Sequence, residues 1–270
     1  MTILGVVALP GVPPERLSSL AALAEDVSLD ELWLWEDCFY AGSVAAAATM
    51  LAATRRLRVG IGVQPVPLRA APLAAMELAA LDRIAPGRLV AGLGHGVQEW
   101  MGQVGVRVES PLTLLREYTL ALRALLAGEE VTVQGRYVRL DRVRLVWPPA
   151  GPLPLHLGTE GPRSLRLSGE LADGTILPGG TTPDRVRAVR ELIDEGRRAA
   201  GRDDPHRLTV YVGPFADLEA QPMADAVRAV ADAGADAVVL MPMPKGPDEP
   251  GASDDEAFVR LVAEAVRPLV

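Results

Sequence analysis

The sequence predicts an α/β protein folded as a single (β/α)8 TIM barrel domain over residues 1–270. Three observations carry that expectation. Eight short apolar, β-branched stretches can be picked out. Helix-length segments follow most of them, which is the alternation of a parallel sheet. A chain of this length also suits a barrel, which routinely reaches about 250 residues as one domain. With 49% hydrophobic but only 4% aromatic residues, the core has to be built mainly from Leu, Val and Ala.

The strands fall at 3–9, 31–35, 57–63, 89–93, 154–158, 174–177, 207–213 and 236–241. Between them, Leu17, Leu20, Ala24 and Val27 recur at helical spacing in 14–27, and Leu73, Met76, Ala80 and Ile84 do so in 72–85, which Pro86-Gly87 ends. In 112–127 the aligned residues are Leu112, Leu115, Thr119, Leu122 and Leu126, with Gly128 as the stop. Thr182-Pro183-Asp184 opens a helix over 182–200 with an N-cap, a proline at the first position and an acid in the first turn. Ser253 and Glu256 have capping-box spacing before Phe258, Leu261, Val262 and Ala265. One stretch breaks the alternation. Residues 129–149 read as short strands around a turn at Gln134-Gly135, an excursion between the fourth helix and the fifth strand.

Composition excludes several functions. A net charge of -8 without a basic block argues against nucleic acid as a partner. No uncharged run reaches the roughly 18 residues of a membrane span. The opening apolar run, cut by Pro10, Gly11 and Pro13, predicts no signal peptide, so the expected location is cytoplasmic. Cys38 is the single cysteine, which excludes an internal disulfide and any multi-cysteine metal site. The histidines lack metal-ligand spacing, so no metal is expected. Lys245 is the sole lysine among 27 basic Lys and Arg residues and falls in the loop MPMPKGPDEPGAS, where it is expected to be solvated, which weighs against Schiff-base chemistry.

In a parallel barrel, chemistry belongs at the carboxyl ends of strands and the loops that follow. After the fifth strand come Gly158, Thr159, Glu160, Gly161, Pro162 and Arg163. Glycines 158 and 161 permit close approach, Pro162 can open a helix whose free N–H groups suit a phosphate, and Arg163 adds a charge-assisted contact. The same loop also reads as an ordinary strand-to-helix turn. His95 stands between Gly94 and Gly96 at the end of the fourth strand, where its ring either faces the mouth or serves packing. His156, inside a strand, and His206, at the amino-terminal end, read as structural. Glu36 and Asp37 follow a Trp-rich strand and supply either a carboxylate with a shifted pKa or plain loop caps. Trp33, Trp35 and Trp100 are candidates to touch a planar group, although one of the strand-two pair should pack between barrel and helices.

Taken in order, AEDVSLDELWLWED, LAATRRLRVGIGV, PLAAMELAALDRIAPGRLVAGLGHG, LLREYTLALRALLAGEEVTVQGRYVRL, PLHLGTEGPRSLRLSGELADGTIL and AAGRDD resemble the luciferase-like monooxygenase superfamily over most of the chain. The third and fifth pieces are specific in combination. The resemblance implies a barrel holding FMN or the deazaflavin coenzyme F420 at its mouth, with Glu36, Asp37, Gln64 and Gly94–Gly96 along the ring and Gly158–Arg163 under the phosphate. It also implies a homodimer. In deazaflavin reductases the strand-two position usually reads Asp-His, and a Glu follows the second glycine after strand four. Here those places hold Glu36-Asp37 and Val97, so His95 or Asp37 has to serve as the acid–base group. The chain is shorter than most members, which implies a more open substrate site. The expected function is hydride transfer to or from F420, or oxygenation with FMN, on a small organic substrate. The alternatives are a flavin-binding protein with little turnover and a cofactor-free sugar-phosphate enzyme.

Overall fold

The computed structural model describes residues 2–243 and 253–270. Strands β1 (Ile3–Val7), β2 (Glu31–Leu34), β3 (Arg58–Pro65) and β4 (Leu89–Gly94) run side by side, each preceded or followed by helices α1 (Leu17–Asp26), α2 (Ser43–Ala53) and α3 (Ala71–Ile84). After β4 come α4 (Gln98–Gln103) and α5 (Pro111–Leu126), then a hairpin of β5 (Val131–Gln134) and β6 (Arg139–Val143). The chain continues through β7 (Leu155–Gly158), α6 (Pro162–Leu171), β8 (Gly174–Leu177), α7 (Pro183–Ala199), β9 (Arg207–Phe215), α8 (Ala220–Asp232), β10 (Ala237–Pro242) and α9 (Ser253–Leu261). All strands but β5 and β6 are parallel and close into one barrel, with β10 pairing back onto β1 from Ile3↔Ala237 to Val6↔Leu240. These eight strands match the expected ranges to within about two residues at either end.

The 129–149 excursion is the antiparallel β5–β6 pair, outside the barrel wall. Its turn is tied to α5, because the Glu117 carboxylate accepts the backbone N–H groups of Arg136, Tyr137 and Val138. The cap at Thr182 forms as expected, its hydroxyl accepting from Arg185 N at 3.3 Å. The Ser253 side chain, on which the expected cap depends, and the Lys245 loop lie outside what the structure describes. Among the described residues, no helix is long and apolar enough to cross a membrane.

One helix turns the other way from expectation. The stripe Leu73, Met76, Ala80 and Ile84 of α3 is exposed, and the buried face is Ala71, Ala74, Ala75, Leu78 and Ala79. Small side chains let α3 lie close to the barrel, and close approach outweighs the larger area of the other stripe. Helix α2, SVAAAATMLAA, escaped the periodicity reading because it is apolar all round; its Ala content alone favours helix.

Inside the barrel, Trp33 fills the central layer, fully buried and edge-on to Tyr211 at 5.9 Å. Room for it comes from glycine: a Cβ on Gly60 would lie 2.2 Å from the indole. Below Trp33 the floor is closed by Glu31. Its carboxylate accepts Trp33 Nε1–H at 2.9 Å and two donors of Arg207 at 2.8 and 2.5 Å, and Arg58 stands 3.4 Å away. His156 also points inward, beside Gly174.

Candidate functional site at the barrel mouth

The carboxyl ends of the strands enclose a cavity of about 380 Å³. That size is within the range of small-ligand sites. Its lining includes Trp35 and Asp37 after β2, Val63 from β3, His95 after β4, Thr159 after β7 and Tyr211 from β9. Alternation along β2 sends Trp33 and Trp35 to the same face, so both tryptophans point inward, one as core and the other as the cavity's floor. Tyr211 joins them: its ring is edge-on to Trp35 at 5.5 Å, and its hydroxyl donates to the Gly62 carbonyl at 3.3 Å.

Strand β3 departs from regular pairing where it reaches the mouth. The register to β4 shifts between Ile61 and Gln64, and the Gly62–Val63 peptide is cis. The shift turns the Val63 side chain into the barrel between β4 and β7. A Cβ on Gly94 would approach Val63 Cγ2 to 2.5 Å, and one on Gly158 would approach Cγ1 to the same distance. The glycines at 94 and 158 therefore make space for Val63. The same shift carries Gln64 out of the cavity: it is 1% exposed, its amide lies 3.4 Å from Ser43 Oγ, and its Oε1 has no partner.

The adjacent acids after β2 separate into two environments. Glu36 is gripped by Arg69, whose guanidinium donates to both carboxylate oxygens at 2.7 and 2.6 Å, and it also accepts Ser43 N–H at the start of α2. Arg69 itself stands 3.4 Å from Glu77. Burial pushes the Glu77 carboxyl up, with Arg69 opposing, and drives the buried Tyr118 hydroxyl far above its ordinary range. Asp37, one residue on, has no such cation. Burial raises its carboxyl above the usual aspartate value, and only a hydrogen bond from the Trp35 indole pulls the other way. His95 is shifted in the opposite sense. Burial lowers its imidazole below 6.5, partly offset by the Pro111 carbonyl, and its Nδ1 is buried without a partner. The raised carboxyl is brought toward neutral pH, where protons are exchanged, while the lowered imidazole is held toward its neutral form.

Beyond β7, Thr159 is 3% exposed with its hydroxyl unpaired. Gly161 is the N-cap of α6, with Pro162 at the first position and no side chain capping the turn. The first N–H groups of that turn therefore have no side-chain partner. Gly161, Pro162 and Arg163 are exposed and stand outside the cavity lining, while Glu160 lies at its edge. Arg185 on α7 reaches back to the Glu160 carbonyl at 2.6 Å.

Of the residues singled out from sequence, the structure brings together Glu36, Asp37, Gly94, His95, Gly96, Gly158, Thr159 and Glu160, with Trp35 and Trp100. It leaves Gln64 behind the wall. His156 and His206 are remote from the mouth, in the core and beside Thr175 respectively. Sequence reasoning missed Arg69, Val63 and Tyr211. Tyr211 was open to discovery, since odd positions of β9 face inward once the barrel is assumed. Arg69 and Val63 depend on tertiary contacts and a register shift that leave no local trace.

Residues 4–261 match the family described as luciferase-like monooxygenase. The chain is 32% identical over 200 residues to a 5,10-methylenetetrahydromethanopterin reductase of Methanolobus tindarius, covering 74% of this chain and 60% of that protein. It is 30% identical over 204 residues to an F420-dependent glucose-6-phosphate dehydrogenase of Nakamurella multipartita, covering 70% of this chain and again 60% of the relative. The match thus spans less than two thirds of these relatives' length. Among solved structures, the coenzyme F420 dependent tetrahydromethanopterin reductase of Methanopyrus kandleri superposes with a TM-score of 0.83 over 99% of both chains at 20% identity, which supports the fold.

Proposed function

The chain belongs to the luciferase-like monooxygenase family, and from that premise we propose that it is an oxidoreductase that uses coenzyme F420 at the barrel mouth to reduce or oxidise a small organic substrate. The observation that carries the reading is the cavity holding Asp37 and His95 over a floor of Trp35 and Tyr211, beside an uncapped helix. When bound, the deazaflavin supplies hydride chemistry that no side chain here possesses.

The residues fit such a group. Trp35, Val63 and Tyr211 form an apolar shelf of the kind a planar ring requires. Thr159 offers an unpaired hydroxyl, and the first turn of α6 offers N–H groups for a phosphate, with Arg163 and Arg185 nearby. Asp37 is assigned the proton: its raised pKa suits a carboxyl that donates at its own oxygen and is recharged from solvent, worth about 10²–10⁴-fold if well placed. His95, neutral at pH 7, is assigned the role of polarising partner through Nδ1. Glu36 keeps a structural part, since Arg69 occupies both of its oxygens. We further assign a cytoplasmic homodimer, for which the exposed Leu73, Met76 and Ile84 of α3 are the supporting observation.

The test is a titration of the apo-protein with coenzyme F420 and, separately, FMN, following fluorescence and Tm, because a ligand bound only by the native state raises stability. Binding of F420 alone is expected. FMN alone would move the chain to the flavin-using branch, and binding of neither would overturn the proposal.

A further inference from the structure

We propose that the substrate end of this cavity accepts uncharged, predominantly apolar molecules and turns away phosphorylated or carboxylated ones, with Val97 as a specificity-determining residue. This rests on the reading of the mouth as a flavin or deazaflavin site.

The cavity's lining is of two kinds. Toward α6 it offers Thr159, the open helix turn and the guanidinium of Arg185 close by. The rest is largely apolar and includes Trp35, Pro65, Val97, Trp100 and Met241. Val97 and Trp100 come from a single turn, since Val97 caps α4 and Trp100 is its third residue. The loop after β2 continues the apolar character outward: Phe39 and Tyr40 follow Asp37 on the same end of the barrel and are 67% and 61% exposed. Their exposure gives the mouth an aromatic rim, a surface that buries apolar area when a ligand enters.

Among the described residues, no Lys or Arg side chain lines the cavity. Its acids are Asp37, Glu160 at the α6 edge, and Glu36, which is already paired with Arg69. Burial holds the His95 imidazole toward its neutral form. The described titratable groups lining the cavity are these acids, that imidazole and the Tyr211 hydroxyl, with no Lys or Arg among them. An anionic substrate beside Trp35 and Trp100 would lose its hydration and meet no cationic side chain to pair with, and an unpaired desolvated charge is a means of rejecting a wrong ligand. The difference from the relative named as a glucose-6-phosphate dehydrogenase is then one of substrate charge. Val97 is where a charge can be restored, because it is 47% exposed and its side chain makes no capping contact.

The experiment uses the full chain loaded with whichever of F420 or FMN it binds, cofactor binding having been measured first and without substrate. Calorimetry then compares a phenyl-substituted cyclohexenone, the same skeleton bearing a ring carboxylate, and glucose 6-phosphate. The neutral probe is expected to bind at least about tenfold more tightly than its carboxylate, with glucose 6-phosphate undetected. In Val97→Arg, with unchanged Tm and cofactor affinity, the gap is expected to close or reverse. Equal or tighter binding of an anionic probe by the parent protein, or failure of the neutral probe to bind, overturns the inference while leaving the cofactor reading intact. Failure of both cofactors to bind overturns the proposed function itself.

Discussion

Strand β2 carries a glutamate toward each end of the barrel, Glu31 at the floor and Glu36 just beyond its other end, and each is held by an arginine that donates to both carboxylate oxygens. The surroundings differ. Glu31 is 0% exposed, and the Trp33 indole that donates to it seals the space above. Glu36 is nearly as buried, yet the residues above it leave a cavity and unpaired polar atoms on Thr159 and His95. The same ion pair closes the barrel at one end and fixes one wall of an open site at the other. What separates floor from site is therefore the cavity above the pair, since buried polar atoms without partners occur at both ends, Arg58 Nε and Arg207 Nε at the floor and Thr159 Oγ1 and His95 Nδ1 at the mouth.

The largest expected effect comes from breaking the closed end. Arg207→Met leaves the Glu31 carboxylate with Trp33 Nε1 and with Arg58 at 3.4 Å, and losing the arginine that donates to both oxygens of a buried carboxylate costs about 3 kcal/mol. Urea denaturation of the apo-protein should show that loss; a change under about 1 kcal/mol would mean that water reaches Glu31 and the floor is not closed.

Arg69→Met makes the matching break at the mouth. Glu36 keeps the Ser43 N–H and lies beside the cavity, so the stability cost should be smaller, about 2–3 kcal/mol. Its distinguishing consequence is functional: an unpaired Glu36 beside Asp37 should raise the pKa seen in the pH profile of substrate turnover, because like charges disfavour ionisation. A lower stability with an unmoved pH profile would confine Arg69 to a structural role.

These two positions also show what was legible in the sequence. The barrel could be read because strand ranges, helix stops and the (β/α) alternation are local patterns, whereas the Glu31–Arg207 floor, a pair 176 residues apart, could not. The cavity residues at 36–37, 94–96 and 158–160 could be read because a barrel places function after strand ends. Arg69, the partner that decides which acid is free, lies 33 residues from Glu36 and could not be paired with it by any local rule. Gln64 was placed at the ring on the strength of its position after β3, but the register shift at Ile61–Gln64 turns Val63 inward and Gln64 outward. The face of α3 was misjudged for a related reason: tertiary packing chose Ala74, Ala75 and Leu78 over the larger residues.

A third effect is spread over the core and sets acid sensitivity. His156 is fully enclosed and burial drives its imidazole down to about 3, while His206 falls to about 4 from burial and nearby arginines. In the unfolded chain both take up protons near pH 6.5, so the unfolded state binds more protons than the native one below that pH. Stability is therefore complete above about pH 7 and declines as pH falls toward 4, by at most about 1.4 kcal/mol per pH unit for each histidine. Between pH 6.5 and 5 depressed carboxylates such as Glu25, held near 2, contribute little, whereas Asp37 and Glu77, raised by burial, oppose the slope and His95 adds to it, so the share of His156 is read from its variant. His156→Leu should flatten it by about one proton, and an unchanged slope would show that His156 is already protonated in the native state.

The smallest effect sharpens the distinction between a glycine required by packing and one left for a ligand. Ala at 158 would drive a Cβ to 2.5 Å from Val63, whereas Ala at 161 would find nothing nearer than Ser164 Oγ at 3.6 Å. Gly161 has φ of -79° and ψ of 152°, a conformation open to alanine, so its removal gains back some unfolded-state entropy. The weaker N-cap loses a comparable few tenths of a kcal/mol. Gly161→Ala should therefore leave Tm nearly unchanged while Gly158→Ala lowers it. If the cofactor phosphate sits against the first turn of α6, the added methyl at 161 should still weaken F420 or FMN binding, about tenfold, in a protein whose stability has not moved. Unaltered cofactor affinity in Gly161→Ala would instead make this loop a plain strand-to-helix turn and move the phosphate toward Thr159.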